Sequence, residues 1–369
     1  MRRILILNER DPGHPRAGGA EVHVAEIFRR LVPRGFEVTQ LCSSFPGGDA
    51  SEVQDGMQIR RVGGLPFYYV HAGRECARAT REGRVDVVVE CLNKLPFLSP
   101  LYARAPVLAL CHHLFGETAF RQVAWPIAVA VWSVERLIPW VYRRCPFVAI
   151  SESTKGDLIR RGIAPARVAV HHPGIRRPDL IPPELLERGQ RVVYVGRLEP
   201  YKNVDVLIRA IARLVERFPR IELVVIGEGT DRARLEAACA SAGIAQRARF
   251  VGFVSEAEKD RWLASSRVCV CPSSKEGWGL TVIESNALGT PNVASDAPGL
   301  RDSVRDGETG FLVPEGDVAA FAARIGLLLG DDALASRMSQ AALAWSRRFD
   351  WDHAADQMAE ALEAAVKPS

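Results

Sequence analysis

Short, wholly apolar runs recur along this chain, each followed by a loop of glycine, proline or polar residues and then by a helical stretch. Ile4–Leu7, Val107–Cys111, Phe147–Ile150 and Val268–Cys271 are the clearest. A strand that is apolar on both faces has to be covered on both faces, the condition of a parallel sheet between layers of helices. Strands alternating with helices imply right-handed βαβ units and a doubly wound α/β sheet. The pattern breaks at a proline-rich stretch, from His172-Pro173-Gly174 to Ile181-Pro182-Pro183, and restarts at Arg191. The 369 residues accommodate two domains at about 100–200 residues each. The reading is two Rossmann-like halves, residues 1–174 and 175–349.

In the first half the expected elements are a strand over Ile4–Leu7, a helix over Ala20–Leu31, and strands over Glu37–Cys42, Val85–Cys91, Val107–Cys111 and Phe147–Ile150. In the second, strands are expected at Arg191–Val195, Ile221–Ile226, Arg249–Val251, Val268–Cys271, Pro291–Ala294 and Gly310–Val313. Helices are expected at Val204–Phe218, Asp231–Ala242 and Leu280–Leu288, with helical stretches near 317–329 and 332–365. Ligands of such sheets bind at the carboxyl ends of the strands, and the two sets of ends are expected to face each other across a cleft.

The formal net charge of +4 is too small over this length to mark a nucleic-acid binder. The charge is uneven, however. Residues 1–180 hold 25 Lys and Arg against 17 Asp and Glu, whereas the remainder has an acidic excess of four. The eight cysteines show no Cys-x-x-Cys pair and mostly lie in apolar runs, so they read as reduced core thiols of a cytosolic protein. The N-terminal apolar run is too short for a signal peptide, and no run is long enough for a spanning helix.

Two stretches carry candidate chemistry. Ser273-Ser274-Lys275-Glu276-Gly277-Trp278-Gly279-Leu280-Thr281-Val282-Ile283-Glu284 follows an apolar strand and leads into a helix. Gly277 and Gly279 allow close backbone approach. The N–H groups of Gly279, Leu280 and Thr281 would be the open donors of a helix N-terminus, which suit a phosphate. Glu276 precedes the helix, and Glu284 lies about one turn inside it, placed to accept ribose hydroxyls. The same spacing also fits a plain glycine-rich turn with two solvated carboxylates. The second stretch is Gly196-Arg197-Leu198-Glu199-Pro200-Tyr201-Lys202-Asn203. Arg197 and Lys202 would together offset the charge on a departing diphosphate, or simply be solvated loop cations.

The chain resembles the retaining glycosyltransferases of family 4, of GT-B fold. The resemblance rests on an ordered set: Gly18-Gly19-Ala20-Glu21, Ser151-Glu152-Ser153-Thr154, Val195-Gly196-Arg197-Leu198-Glu199 with Lys202, and Val225-Ile226-Gly227-Glu228-Gly229. Val251-Gly252-Phe253-Val254, Glu276 with Glu284, and Gly310-Phe311-Leu312-Val313 complete it. It implies that a nucleoside-diphosphate sugar binds mainly to the C-terminal half. Arg197 and Lys202 would hold the diphosphate, Glu284 the ribose, and Glu276 hydroxyls of the sugar. The backbone around Phe253 and Val254 would meet the base, and Gly18 and Gly19 would form a loop closing over the phosphates and the acceptor. It also implies a functional histidine after Val107–Cys111. His112 is favoured over His113 because it directly follows the apolar run. Phe349-Asp350-Trp351-Asp352 resembles the start of a final helix, about 350–369, that crosses back to the N-terminal domain. That placement argues against a metal-binding role for Asp350 and Asp352, and no cofactor or metal is expected.

The implied activity is transfer of a hexosyl group, with retention, from a donor of the GDP-mannose or UDP-glucose type to an acceptor hydroxyl. The alternatives are a nucleotide-sugar epimerase or hydrolase on the same fold, or a non-catalytic nucleotide-sugar binder. A dehydrogenase is disfavoured, because Gly227-Glu228-Gly229 lacks the third glycine of the dinucleotide fingerprint. Arg121–Arg144 is rich in Trp, Tyr and Arg around apolar residues. Such a segment suits a peripheral membrane contact or a buried helix of the N-terminal domain.

Overall fold

The structure is a computed structural model that describes residues 2–65, 67–116, 125–179 and 185–367. The chain divides into two compact units, residues 1–174 with 350–369, and residues 175–349.

Among the described residues, unit 1 holds eight strands: β1 (Arg2–Leu7), β2 (Phe36–Cys42), β3 (Ser51–Gln54), β4 (Met57–Arg61), β5 (Val87–Leu92), β6 (Val107–Cys111), β7 (Phe147–Ala149) and β8 (Val168–Val170). Their order is β3-β4-β2-β1-β5-β6-β7-β8. β1 pairs in parallel with both β2 and β5, Ile4 standing opposite Val38 and Val87. Ile4 and Ile6 are 2% and 0% exposed, each worth about 1.5–3 kcal/mol of burial. The sheet departs from the all-parallel expectation at one edge, where β3 runs antiparallel to β4. The two are joined by Asp55-Gly56, both at positive φ (49° and 80°), the backbone of a tight hairpin turn. β5 carries a fully buried carboxylate, Glu90, which accepts from the Phe97 and Ser99 N–H groups and from the Ser99 and Tyr142 hydroxyls. Those bonds satisfy a charge that burial would otherwise make costly.

Unit 2 is a six-stranded, all-parallel sheet: β9 (Arg191–Val195), β10 (Glu222–Ile226), β11 (Ala248–Gly252), β12 (Val268–Cys271), β13 (Asn292–Ser295) and β14 (Gly310–Val313). The order is β11-β10-β9-β12-β13-β14. Its core joins Val192, Leu223, Val268 and Val293 of the strands to Leu207, Ile211, Phe321 and Ile325 of the covering helices.

Two helices differ from the pattern in the sequence. The stretch expected to run to Phe218 is α-helical only over Val204–Ala212. The Leu214 N–H then reaches back three residues to Ile211, and Phe218 precedes a proline, which disfavours helical backbone. The 332–365 stretch is two helices, Asp332–Ser346 and Trp351–Val366. Asp350 separates them, its carboxylate accepting from the Asp352 and His353 N–H groups at 2.8 and 3.2 Å. The last helix belongs to unit 1, packing on the helix Gly19–Leu31, where Asp352 pairs with Arg30 at 2.8 Å. All eight cysteines are buried.

The apolar helix Trp125–Glu135 buries only Ala128 and Glu135. Trp125 and Ile127, and Trp140 just beyond, are 71%, 56% and 81% exposed. The segment therefore divides: the helix Trp125–Glu135 is exposed along much of its length, whereas Ile138 and Tyr142 are buried in the core of unit 1; its first residues, Arg121–Ala124, lie outside those described.

Candidate active site

Each sheet has one place where consecutive connections leave in opposite directions. In unit 2 it lies between β9 and β12, and in unit 1 between β1 and β5. A crevice opens at the carboxyl ends of the strands at such a point.

In unit 2 the loops after β9 and β12 line that crevice. The first passes beneath Gly227 and Gly229. A Cβ on either would lie about 2 Å from the carbonyl oxygens of Gly196 and Leu198, so only glycine fits. Leu198 N–H donates to Glu228 O at 2.9 Å, and Arg197 projects from this clamped turn, exposed. The second loop is tied to the first through the Tyr201 carbonyl, which accepts from the Ser274 N–H at 3.0 Å and hydroxyl at 3.1 Å. It is also pressed on by Gly299, where a Cβ would sit 2.4 Å from Glu276 O.

These constraints bring Lys202 and Glu276 together, 74 positions apart in sequence, with Nζ to Oε1 at 2.5 Å. Burial opposes the Lys202 charge, but attraction to Glu276 and their hydrogen bond outweigh it and hold the ammonium above its usual value. Arg197 is anchored by Tyr201, its Nη2 3.0 Å from the hydroxyl. Gly279, at φ 88°, precedes the helix Leu280–Ala287, so the Gly279, Leu280 and Thr281 N–H groups stand at a helix start with no acceptor inside the helix. Gly277 lies in the turn, half-buried. Trp278 is buried, its ring packed edge-on against Phe349 with centroids 5.1 Å apart. Its side chain therefore belongs to the core of the unit. Glu284 bonds Lys259 Nζ at 2.9 Å, a partner with no local signal in the sequence. Phe253 is 88% exposed and Val254 half-buried, on the loop after β11.

In unit 1, Asn8 follows β1 and Asn93 follows β5, and their side chains bond across the crevice at 3.1 Å. Lys94 stands between Glu9 and Glu21, at 3.2 and 3.4 Å. Both carboxylates are buried. Glu9 also accepts from the Tyr69 hydroxyl, and Glu21 from the Gly18 N–H at 2.8 Å. Gly18 caps the helix that Gly19 begins. Sequence reasoning passed over Glu9, Lys94 and Asn93. The available signal was their position, polar residues directly after buried strands.

His112 follows β6 and is 2% exposed. Burial, with lesser repulsion from His113 and Lys94, pushes its imidazole down to about 3. Its Nε2 lies 3.0 Å from Nδ1 of His23. His113 is half-buried against Phe115. Among the described residues, no three His, Cys, Asp or Glu side chains gather as metal ligands would.

Residues 17–177 match the model of glycosyltransferase family 4, and residues 178–345 match that of the glycosyl transferases group 1. The chain is a family 4 glycosyltransferase. This glycosyltransferase is 29% identical to a D-inositol 3-phosphate glycosyltransferase of Streptomyces scabiei, over 99% of its own length and 92% of the relative's. Its fold matches sucrose-phosphate synthase of Thermosynechococcus elongatus, with TM-score 0.81 and 22% identity over 98% of each chain. It also matches HepE of Anabaena, solved with UDP and glucose, with TM-score 0.79 and 20% identity over 99% and 100% of the two chains. The fold is therefore GT-B, with two parallel-sheet α/β domains, and the enzyme is by family a hexosyltransferase. Among the described residues, no helix is long and apolar enough to cross a membrane.

Proposed function

We propose that the enzyme transfers a hexosyl group, with retention and without a metal, from a nucleoside-diphosphate sugar to an acceptor hydroxyl. The observation that carries the reading is the unit 2 crevice. There Arg197 and the Lys202–Glu276 pair stand beside the start of the helix Leu280–Ala287. Two cations and one carboxylate leave a surplus positive charge where a leaving diphosphate gathers negative charge, and helix N–H donors add to it. In this reading Lys202 meets the diphosphate while Glu276 holds the ammonium in place and accepts from sugar hydroxyls. Glu284, fixed by Lys259, accepts from the ribose. In unit 1, His112, Gly18 and Gly19 are the proposed ligand contacts. A donor of the UDP-glucose or GDP-mannose type fits these groups. HepE, of the same fold, was solved with UDP-glucose, which favours the uridine donor.

A thermal-shift panel of UDP, GDP, ADP and their sugars tests the donor, since binding to the native state raises apparent stability. The expected result is a shift with one diphosphate and its sugar that Lys202→Ala abolishes. Product formed without any acceptor would instead indicate a hydrolase or epimerase.

The same reading places the enzyme in the cytoplasm, in peripheral contact with a membrane. Support comes from exposed Trp125, Ile127 and Trp140 close to Arg136, Arg143 and Arg144. Indole rings and arginines around an apolar face match an anionic interface. Sedimentation with anionic vesicles at low salt is expected, and is expected to weaken in Trp140→Glu. Equal recovery with neutral vesicles alone would count against it.

A further inference from the structure

Asn203 stands between Lys202 and the helix Val204–Ala212, in a backbone conformation rare for a residue with a side chain. Its φ and ψ are 52° and 35°, the left-handed region, where Cβ crowds the following carbonyl oxygen. Such strain persists only where the surroundings fix it. Before it, Pro200–Lys202 form one tight right-handed turn. The Lys202 N–H closes that turn on Glu199 O at 2.9 Å, and the Asn203 N–H on Pro200 O at 3.1 Å. The right-handed helix Val204–Ala212 follows. A single left-handed residue between two right-handed stretches gives them separate axes, so Lys202 ends a turn of its own instead of entering the helix.

The side chain does not serve the helix. An asparagine that caps a helix ordinarily has extended backbone, and its side-chain oxygen accepts from an amide of the first turn. Asn203 makes no such bond. Its amide nitrogen instead donates to Pro272 O at 3.3 Å, 69 positions along the chain. Pro272 directly follows β12 and opens the loop that carries Glu276. Three consecutive residues of the first loop are thus each joined to the second: Tyr201 to Ser274, Lys202 to Glu276 and Asn203 to Pro272. Glycine would meet the backbone requirement at Asn203 without strain but could not bridge the loops. Alanine could do neither. Asparagine, which enters this region more readily than most side chains, does both.

We propose that Asn203 is a positioning residue for Lys202: its left-handed backbone aims the ammonium at Glu276, and its amide holds the two loops at the distance the pair requires. The groups that act on the ammonium are then Glu276 and Tyr201, which favour its charge, and Arg197, which opposes it. For its effect on donor binding the proposal rests on the transferase reading of Lys202; for the geometry of the pair it does not.

The test uses the full chain labelled with 15N-lysine. The ammonium signal of Lys202 is identified by its absence in Lys202→Met, and its unpaired position is read from Glu276→Gln. Affinities for UDP and for GDP are measured beside it by calorimetric titration. Asn203→Gly removes only the amide. Its Lys202 signal is expected to move part of the way toward the Glu276→Gln position, and diphosphate affinity to fall about threefold, the scale of one net hydrogen bond. Asn203→Ala adds the backbone strain. Its signal is expected to move further, with affinity down about tenfold or more. A Lys202 signal unmoved in both variants overturns the proposal, even where their melting temperatures fall, because Asn203 would then merely stabilise the fold. A signal no further displaced in Asn203→Ala than in Asn203→Gly overturns the part played by the backbone. If the signal moves as expected while UDP and GDP bind Lys202→Met as they bind the unaltered chain, the assignment of Lys202 to the diphosphate fails and the positioning role stands.

Discussion

The two crevices are built alike and charged differently. Each lies at the switch point of a parallel sheet, and each contains a lysine held by glutamate. In unit 2, Lys202 has one carboxylate partner, Glu276, with Arg197 nearby as a second cation. In unit 1, Lys94 has two partners, Glu9 and Glu21, and Arg10 pairs with Glu9 at 3.4 Å. The first set has charge to spare for an anion, and the second is balanced within itself. The same topology thus yields one crevice suited to a diphosphate and another whose lysine is committed to holding its own loops together.

That contrast predicts opposite phenotypes for two similar substitutions. Lys94→Met leaves two buried carboxylates without their shared cation. Breaking a buried pair costs about 3–5 kcal/mol. The low end is expected here, because Glu9 keeps Tyr69 and Glu21 keeps the Gly18 N–H. Hydrogen exchange at the β1 and β5 amides should register the loss. If those amides stay protected, Lys94 is a free cation after all and the comparison breaks.

Lys202→Met should do the reverse. Glu276 is only half-buried, so stability should change little, while kcat falls about 10²–10³-fold, the usual cost of losing one donor to developing charge. Turnover measured under saturating donor, beside a thermal melt, separates the two effects. Next in size is the pH response of unit 1. His112 is pushed down to about 3 and His171 to about 4, both below the unfolded value near 6.5. Below that pH the unfolded chain binds more protons. The stability conferred by the neutral rings is therefore full above pH 6.5 and lost as pH falls toward 3. Each ring contributes a slope of up to about 1.4 kcal/mol per pH unit. A flat stability profile between pH 6 and 4 would contradict the burial of these rings. Lys259→Met should be the mildest change. It frees Glu284 and is expected to weaken donor binding about tenfold without altering kcat, as read by donor titration.

Much of this was legible along the chain because it is local. Ile4–Leu7 and Val268–Cys271 declare strands by composition, and Gly279 marks the start of the helix that follows. Asp55-Gly56, between the alternating stretches Ser51–Gln54 and Met57–Arg61, is a hairpin signal of the same local kind. The partners could not be read in this way. Nothing near Glu284 points to Lys259, and nothing near His112 points to His23, 89 positions earlier. Trp278 sits within the stretch expected to hold a ligand, yet its ring packs into the core against Phe349. Only side-chain packing could show that.

By itself, then, the sequence determined the class of fold, the two successive sheets and the short loops from which a ligand would be held. Those follow from period, burial and turn chemistry over a few residues. The tertiary structure decided which charges are paired, which histidine lies inside, and where the surplus cation remains. Such choices depend on side chains meeting across 70 to 90 positions of chain. Desolvation, which only packing creates, sets their charge.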